Sequence, residues 1–249
     1  MIGARKQRGQ WRRALGRAAL VLAVVALIAT NAPALHLLGS EPIQMIPARQ
    51  PRLPLAAVFL SGDMGFHFGM SSDVAQALAA RGVPVVGVVS PVAFAHHRTP
   101  DEARAIVEQA MRTAMRSTGA RQLLLVGQSY GADIVATVAP QLPPDLLAHV
   151  RAINLMVPGR YVYFRADPTT LAYFAKPDAQ PARAFRAFHG PPVICIYGMQ
   201  ENDSLCPELD RSAVKVIALP GDHHLDRKPE RLVAAAMGAL HALVPAIRP

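Results

Sequence analysis

No acidic side chain occurs before Glu41. The first 17 residues instead hold six of the 26 basic ones: Arg5, Lys6, Arg8, Arg12, Arg13 and Arg17. The remaining 20 basic residues face 17 acidic ones, so most of the formal charge of +9 belongs to this leader. A body so nearly balanced offers no phosphate-tracking surface, and nucleic acid is not an expected partner. Aromatic residues are scarce at 6%. Cysteine is limited to Cys195 and Cys206, and no CxxC or HxxxH spacing occurs, so no zinc site is expected. Nothing in the chain calls for another metal or an organic cofactor. There are no internal repeats, which argues against a solenoid.

What is present is apolar. Of the 249 residues 51% are hydrophobic, mostly Ala, Val and Leu. That suffices for one sizeable core, and its composition suits parallel strands packed between Ala-rich helices. The basic leader runs into AALVLAVVALIA at 18–29. This is the order of a secretory signal, with Ala32-Pro33-Ala34 as a small-residue cleavage site. The alternative is a retained anchor, since residues 18–38 are just long enough to span a bilayer. Either way export to the periplasm is expected, with residues 1–34 as signal peptide or anchor. In that compartment two cysteines at short spacing suggest a disulfide, against the alternative of two buried thiols.

Residues 35–54 contain Pro42, Pro47, Pro51 and Pro54 without periodicity and read as a tether. From Leu55 to the end, apolar runs at 55–60, 83–89, 123–126, 150–157, 193–197 and 214–219 predict about six strands. Helical patterns at 72–81, 100–117, 130–139 and 231–243 lie among them. The helix after Thr99 has a capping Thr, a first-turn Pro and two acids. Such alternation predicts a mostly parallel sheet covered on both faces. The pattern breaks at 158–191, which holds more than half of the chain's Phe and Tyr. It reads as a lid over the substrate site or as packing on the sheet edge; the lid is preferred because loops at strand ends carry function here.

Gly127-Gln128-Ser129-Tyr130-Gly131 matches G-x-S-x-G between a strand and a helix. A serine hydroxyl is a weak nucleophile unless a sharp turn exposes it beside a base. Ser129 is therefore the expected nucleophile of an α/β-hydrolase fold. The base should follow the last strand, where Asp222-His223-His224 sits; His223 is preferred over His224 by its position after the Gly turn. The acid should follow the strand before it. Asp203 is preferred, with Glu201 as rival. The oxyanion hole should combine the N–H of Tyr130 with that of Asp63 or Met64, in the Gly-containing loop 61–66. Asp133 reads as compensation of the helix dipole. Phe66, Glu201, Asp222 and His224 are substrate-binding candidates.

Five segments together resemble the bacterial virulence protein family VirJ/AcvB. They are Ser61-Gly62-Asp63-x-Gly65-Phe66, Gly127-x-Ser129-Tyr130-Gly131-Ala132-Asp133, Leu142-Pro143-Pro144, Tyr197-Gly198…Asp203-x-x-Cys206-Pro207 and Pro220-Gly221-x-His223-His224. The resemblance spans about 55–243. It implies a periplasmic α/β-hydrolase domain over 55–249 and carries triad roles onto Ser129, Asp203 and His223. It further implies hydrolysis of an aminoacyl ester of a membrane lipid, lysyl-phosphatidylglycerol in the AcvB type, and contact with a type IV secretion system in the VirJ type. A cationic lysyl group would be favoured by Asp63, Glu201 or Asp222. The rival expectations are a secretion-associated interaction protein on a hydrolase scaffold and a general esterase or lipase.

Overall fold

The computed structural model describes residues 2–49, 52–67 and 69–248, without the side chains of 2–10, 12 and 13. The leader side chains Arg5, Lys6, Arg8, Arg12 and Arg13, and Pro51 of the tether, lie outside the described residues.

Seven strands form one sheet: β1 (Ile43–Ile46), β2 (Leu55–Leu60), β3 (Val85–Val88), β4 (Gln122–Gln128), β5 (Val150–Met156), β6 (Val193–Gly198) and β7 (Val214–Leu219). Their spatial order is β1-β3-β2-β4-β5-β6-β7. All neighbours are parallel except β1, which runs antiparallel to β3. Strands β2 and β3 are buried along their whole length, as the continuous apolar runs require when both sheet faces are covered.

The seventh strand corrects the tether assigned to 35–54. Ile43–Ile46 pairs with β3 from Ile43↔Val88 to Ile46↔Val85, so the folded body begins before Leu55. Prolines at 42 and 47 bracket it, and an edge strand tolerates them because its outer side makes no ladder bonds.

The helices are α1 (Ile2–Thr30), α2 (Ser71–Ala80), α3 (Ser90–Ala93), α4 (Pro100–Thr118), α5 (Tyr130–Val138), α6 (Pro144–Leu147), α7 (Pro181–Phe185) and α8 (Pro229–Leu243). α4 starts with a capping box between Thr99 and Glu102 and stops at Gly119, which takes φ +67. One face of the sheet packs α4 and α5 through Val107, Met111 and Ile134. The other packs α2 and α8 through Val74, Leu78, Leu232, Met237 and Leu240. Strand order reverses between β2 and β4, so a crevice opens at their carboxyl ends, where open α/β sheets bind ligands.

α1 exposes Leu20, Val21, Leu22, Val25 and Leu27. Among the described residues, no helix is long and apolar enough to cross a membrane. The chain just after α1 rests on the body: Pro33 is buried, and Arg165 donates to the Thr30 carbonyl at 3.1 Å and to Asn31 Oδ1 at 3.3 Å. The 158–191 insertion leaves a central strand, β5, and contributes no residue to the lining of the cavity at Ser129. Val162, Phe164, Ala166 and Phe185 join the core beside α5, while Tyr173 reaches the crevice.

Candidate active site

β4 drives into α5 through Ser129, which takes φ 52 and ψ −125. A non-glycine residue held there stores about 1–3 kcal/mol of strain and persists only where its surroundings impose the turn. The surroundings do so by close approach. A Cβ at Gly127 would come within 2.5 Å of Ala132 Cα, and one at Gly131 would strike the Leu60 carbonyl. Any side chain at either position would push α5 off the sheet. The tight bend therefore lifts the Ser129 hydroxyl clear of the strand.

Ser129 Oγ lies 2.8 Å from His223 Nε2. Of the two histidines considered, the structure thus places His223 on the serine. His224 is exposed, its ring edge-on to His223 at 5.4 Å, and it lines the cavity beyond.

The carboxylate on the far side of the imidazole is Glu201, not Asp203. Glu201 Oε1 stands 2.5 Å from His223 Nδ1, and its side chain is only 3% exposed. The reason is a tight turn. Gly198 passes so close under the histidine loop that a Cβ there would strike the Asp222 carbonyl. Directly after it, the Glu201 N–H donates to the Gly198 carbonyl at 3.0 Å and the Gln200 N–H to the Gly221 carbonyl at 2.9 Å. Those bonds fold Glu201 beneath His223. Two residues on, Asp203 is exposed, and its backbone carbonyl accepts from the Arg160 N–H.

Burial disfavours a charged His223. The Glu201 hydrogen bond and the charges of Glu201, Asp63 and Asp203 outweigh it, so the imidazole pKa rises above its ordinary 6.5. A base must be neutral to accept a proton. If His223 is the base, kcat/KM should rise with pH through a midpoint above 6.5. A flat profile from pH 5 to 8 would contradict that role, since His is the side chain that ordinarily titrates there.

The loop after β2 faces the serine across the crevice. The Gly62 N–H donates to Ser71 Oγ at 3.0 Å, and Ser71 donates to Gln128 Oε1 at 2.7 Å. This buried relay ties the loop to the residue before the nucleophile. Neither Ser71 nor Gln128 was singled out from sequence, although a polar Gln ending an apolar strand was a usable signal. Among the described residues, the N–H groups of Met64 and Tyr130 meet no protein acceptor and remain free for an oxyanion. Gly62, Asp63, Met64, Met70, Ser129 and His223 line a cavity of about 320 Å³.

Asp63 belongs to that lining, and burial raises its pKa against the opposing influence of His223 and the Tyr173 hydroxyl. Phe66 does not. Its ring is buried edge-on to Phe59 at 5.4 Å, over Gly87, where a Cβ would collide with it. It is a core residue rather than a substrate contact. Asp222 also leaves the substrate-binding set: its exposed carboxylate accepts the His224 N–H at 2.8 Å, which lowers its pKa, and lies outside the cavity lining. Asp133 does more than compensate a dipole. Its Oδ1 accepts the Gly159 N–H at 2.6 Å and so ties α5 to the root of the insertion.

Cys195 on β6 and Cys206 form a disulfide, both fully buried. It closes the loop that carries Glu201. In the chain-entropy model a loop of this size contributes about 3 kcal/mol. The Cys195→Ala/Cys206→Ala variant should accordingly melt about 10 °C lower in a thermal scan. An unchanged Tm would show that the bridge adds no stability.

Among the described residues no cluster of His, Cys, Asp and Glu is arranged to hold a metal ion.

No curated protein sequence matches the chain. Its fold is similar to that of several solved hydrolases. Est1E from Butyrivibrio proteoclasticus superposes with a TM-score of 0.58 at 14% identity, over 82% of this chain and 93% of that one. The esterase domain of a Rhodothermus marinus protein gives 0.53 at 15% identity, over 78% and 91%. A Pyrococcus furiosus esterase gives 0.53 at 14%, over 74% and 80%. At such identities the likeness establishes the α/β-hydrolase fold. The sequence model of one family matches residues 55–244, nearly the whole folded body. The chain belongs to the bacterial virulence protein family VirJ.

Proposed function

We propose that this protein is a periplasmic serine hydrolase that cleaves a carboxylic ester, with Ser129 as nucleophile, His223 as base and Glu201 as the acid that orients it. The observation that carries this reading is the continuous path from Ser129 Oγ to His223 Nε2 at 2.8 Å and from His223 Nδ1 to Glu201 at 2.5 Å.

Ser129 Oγ attacks the ester carbonyl carbon while its proton passes to His223 Nε2. The carbonyl oxygen becomes an oxyanion within reach of the Tyr130 and Met64 N–H groups; the former stands at the positive end of α5. Collapse breaks the bond to the alcohol, which leaves with the proton from His223, and the acyl group stays on Ser129. Water then repeats the sequence and releases the acid. Glu201 holds the Nδ1–H tautomer and offsets the imidazolium charge.

The substrate we assign is an aminoacyl ester of a membrane lipid, such as lysyl-phosphatidylglycerol. Two considerations support it. The exposed apolar side chains of α1 suit a protein exported to, and kept at, the inner membrane surface. Asp63 supplies a half-buried carboxylate in the cavity lining, and a substrate ammonium beside it would offset its loss of hydration. The test is release of free lysine from vesicles of lysyl-phosphatidylglycerol by the purified chain. Release of lysine supports the assignment. Hydrolysis of short acyl esters alone would reject the lipid substrate and leave a general esterase.

A further inference from the structure

The insertion carries a 3-10 turn, Leu171–Phe174, whose side chains face two ways. Tyr173 turns inward. Its ring stacks on Tyr163 at 5.0 Å and lies nearly parallel to Tyr130 at 6.5 Å, and its hydroxyl donates to Asp63 Oδ2 at 3.4 Å. Leu171 and Phe174 turn outward, 54% and 85% exposed. A single exposed apolar residue needs no explanation, but these two share a turn pinned to the catalytic cavity. Lys176, also exposed, has no carboxylate within salt-bridge distance among the described residues.

The turn is fastened to 163–167. The Tyr163 hydroxyl donates to the Tyr173 carbonyl at 2.6 Å, and the Asp167 N–H donates to the Tyr173 hydroxyl at 3.1 Å. From that same stretch Arg165 reaches Thr30 and Asn31 at the end of α1. One five-residue segment therefore joins the outward-facing turn to the foot of an apolar helix. The C-terminal half of α1 exposes Leu20, Val21, Leu22, Val25 and Leu27 close together, and an apolar patch of this kind marks a surface that lipid or protein covers. Lipid around α1 would begin close to the insertion.

We propose that Leu171 and Phe174 dip into the bilayer that covers α1, with Lys176 among anionic headgroups, so that the crevice opens onto the membrane surface. The catalytic consequence rests on the reading of the substrate as a lipid-borne ester; the docking stands apart from it. Burying apolar side chains in the acyl boundary supplies the attraction, and the lysine adds attraction to anionic lipid.

The test uses the full chain with Phe174→Trp in a Trp11→Phe background, which leaves one tryptophan. On vesicles of equal parts phosphatidylglycerol and phosphatidylethanolamine, its emission should shift to the blue and be quenched by brominated lipid. Water-like emission from protein that sediments with the vesicles would overturn the proposal, because α1 alone would then hold it there. A blue shift that grows with protein concentration without vesicles would overturn it in favour of a second copy. In a second measurement, Leu171→Ser/Phe174→Ser should slow turnover of a vesicle-borne aminoacyl ester by about tenfold or more, the scale of one lost apolar side chain. The rate on a soluble short-chain ester should hold. Equal loss on both substrates would mean a structural role and overturn docking. Should the unaltered chain hydrolyse neither ester, the enzymatic reading fails, and the tryptophan emission still decides docking.

Discussion

Ser129→Ala should abolish ester hydrolysis, lowering kcat by about 10⁶, the loss seen when a serine hydrolase is deprived of its nucleophile. Residual turnover would come from binding and the oxyanion donors alone. The substitution removes one oxygen and leaves the backbone at φ 52, a conformation that alanine finds as strained as serine. Stability should therefore change by less than about 1 kcal/mol, and a melting curve recorded beside the rate separates lost chemistry from lost fold. Ser129→Gly goes further. It also removes the nucleophile, but it relieves the strained φ, so it should melt higher than Ser129→Ala. A Gly variant less stable than the Ala variant would show that the turn stores no strain.

Glu201→Gln should reduce kcat by about 10⁴, the scale found when an amide replaces the triad carboxylate and imposes the wrong tautomer. The midpoint of the pH profile should also fall. Glu201 supplies the leading influences that raise the His223 pKa against burial, and the amide carries no charge. Asp203→Asn is the matched control. That side chain is exposed and makes no hydrogen bond to the imidazole, so its loss should change kcat by no more than a few-fold. Purified variants assayed across pH 5 to 9 on one soluble ester give both comparisons. The reverse ranking, with Asp203→Asn the more damaging, would mean that the turn at Gly198 does not deliver Glu201 to the histidine in solution.

The contrast between these two carboxylates marks where sequence reading ran out. Placement of the acid after β6 followed from chain order in the fold. Choosing between two acids two residues apart depends on how the chain turns after Gly198, and that turn is set by the Asp222 carbonyl, which lies more than 20 residues away. Long-range contact of this kind leaves no local periodicity. Phe66 repeats the lesson: beside a glycine loop it reads as substrate-facing, yet the slot that receives it exists because residue 87 is glycine on a neighbouring strand. β1 escaped for another reason. Four residues between two prolines carry too short an alternation to register, and the pairing partner decides that they form a strand.

Where both ends of an element were marked, the chain itself was sufficient. α4 declares its start with Thr99 and Glu102 and its end with Gly119. β2 and β7 occupy the ranges expected from their apolar runs. The strand–Gly–x–Ser–x–Gly–helix sequence was legible because the sterics at 127 and 131 admit no other residue. The insertion lay between these cases. Its aromatic content announced that it was no ordinary loop, but which rings enter the core and which one meets Asp63 depends on contacts across the whole domain.

The most direct test of Ser129 as an activated nucleophile is covalent capture. The folded chain, treated with a fluorophosphonate and mapped by peptide mass spectrometry, should carry one phosphonyl group on the peptide containing Ser129. The labelling rate should rise with pH alongside His223 deprotonation and collapse in Glu201→Gln. Folded protein that gains no mass at Ser129, or gains it equally fast with Glu201 replaced, would contradict the account.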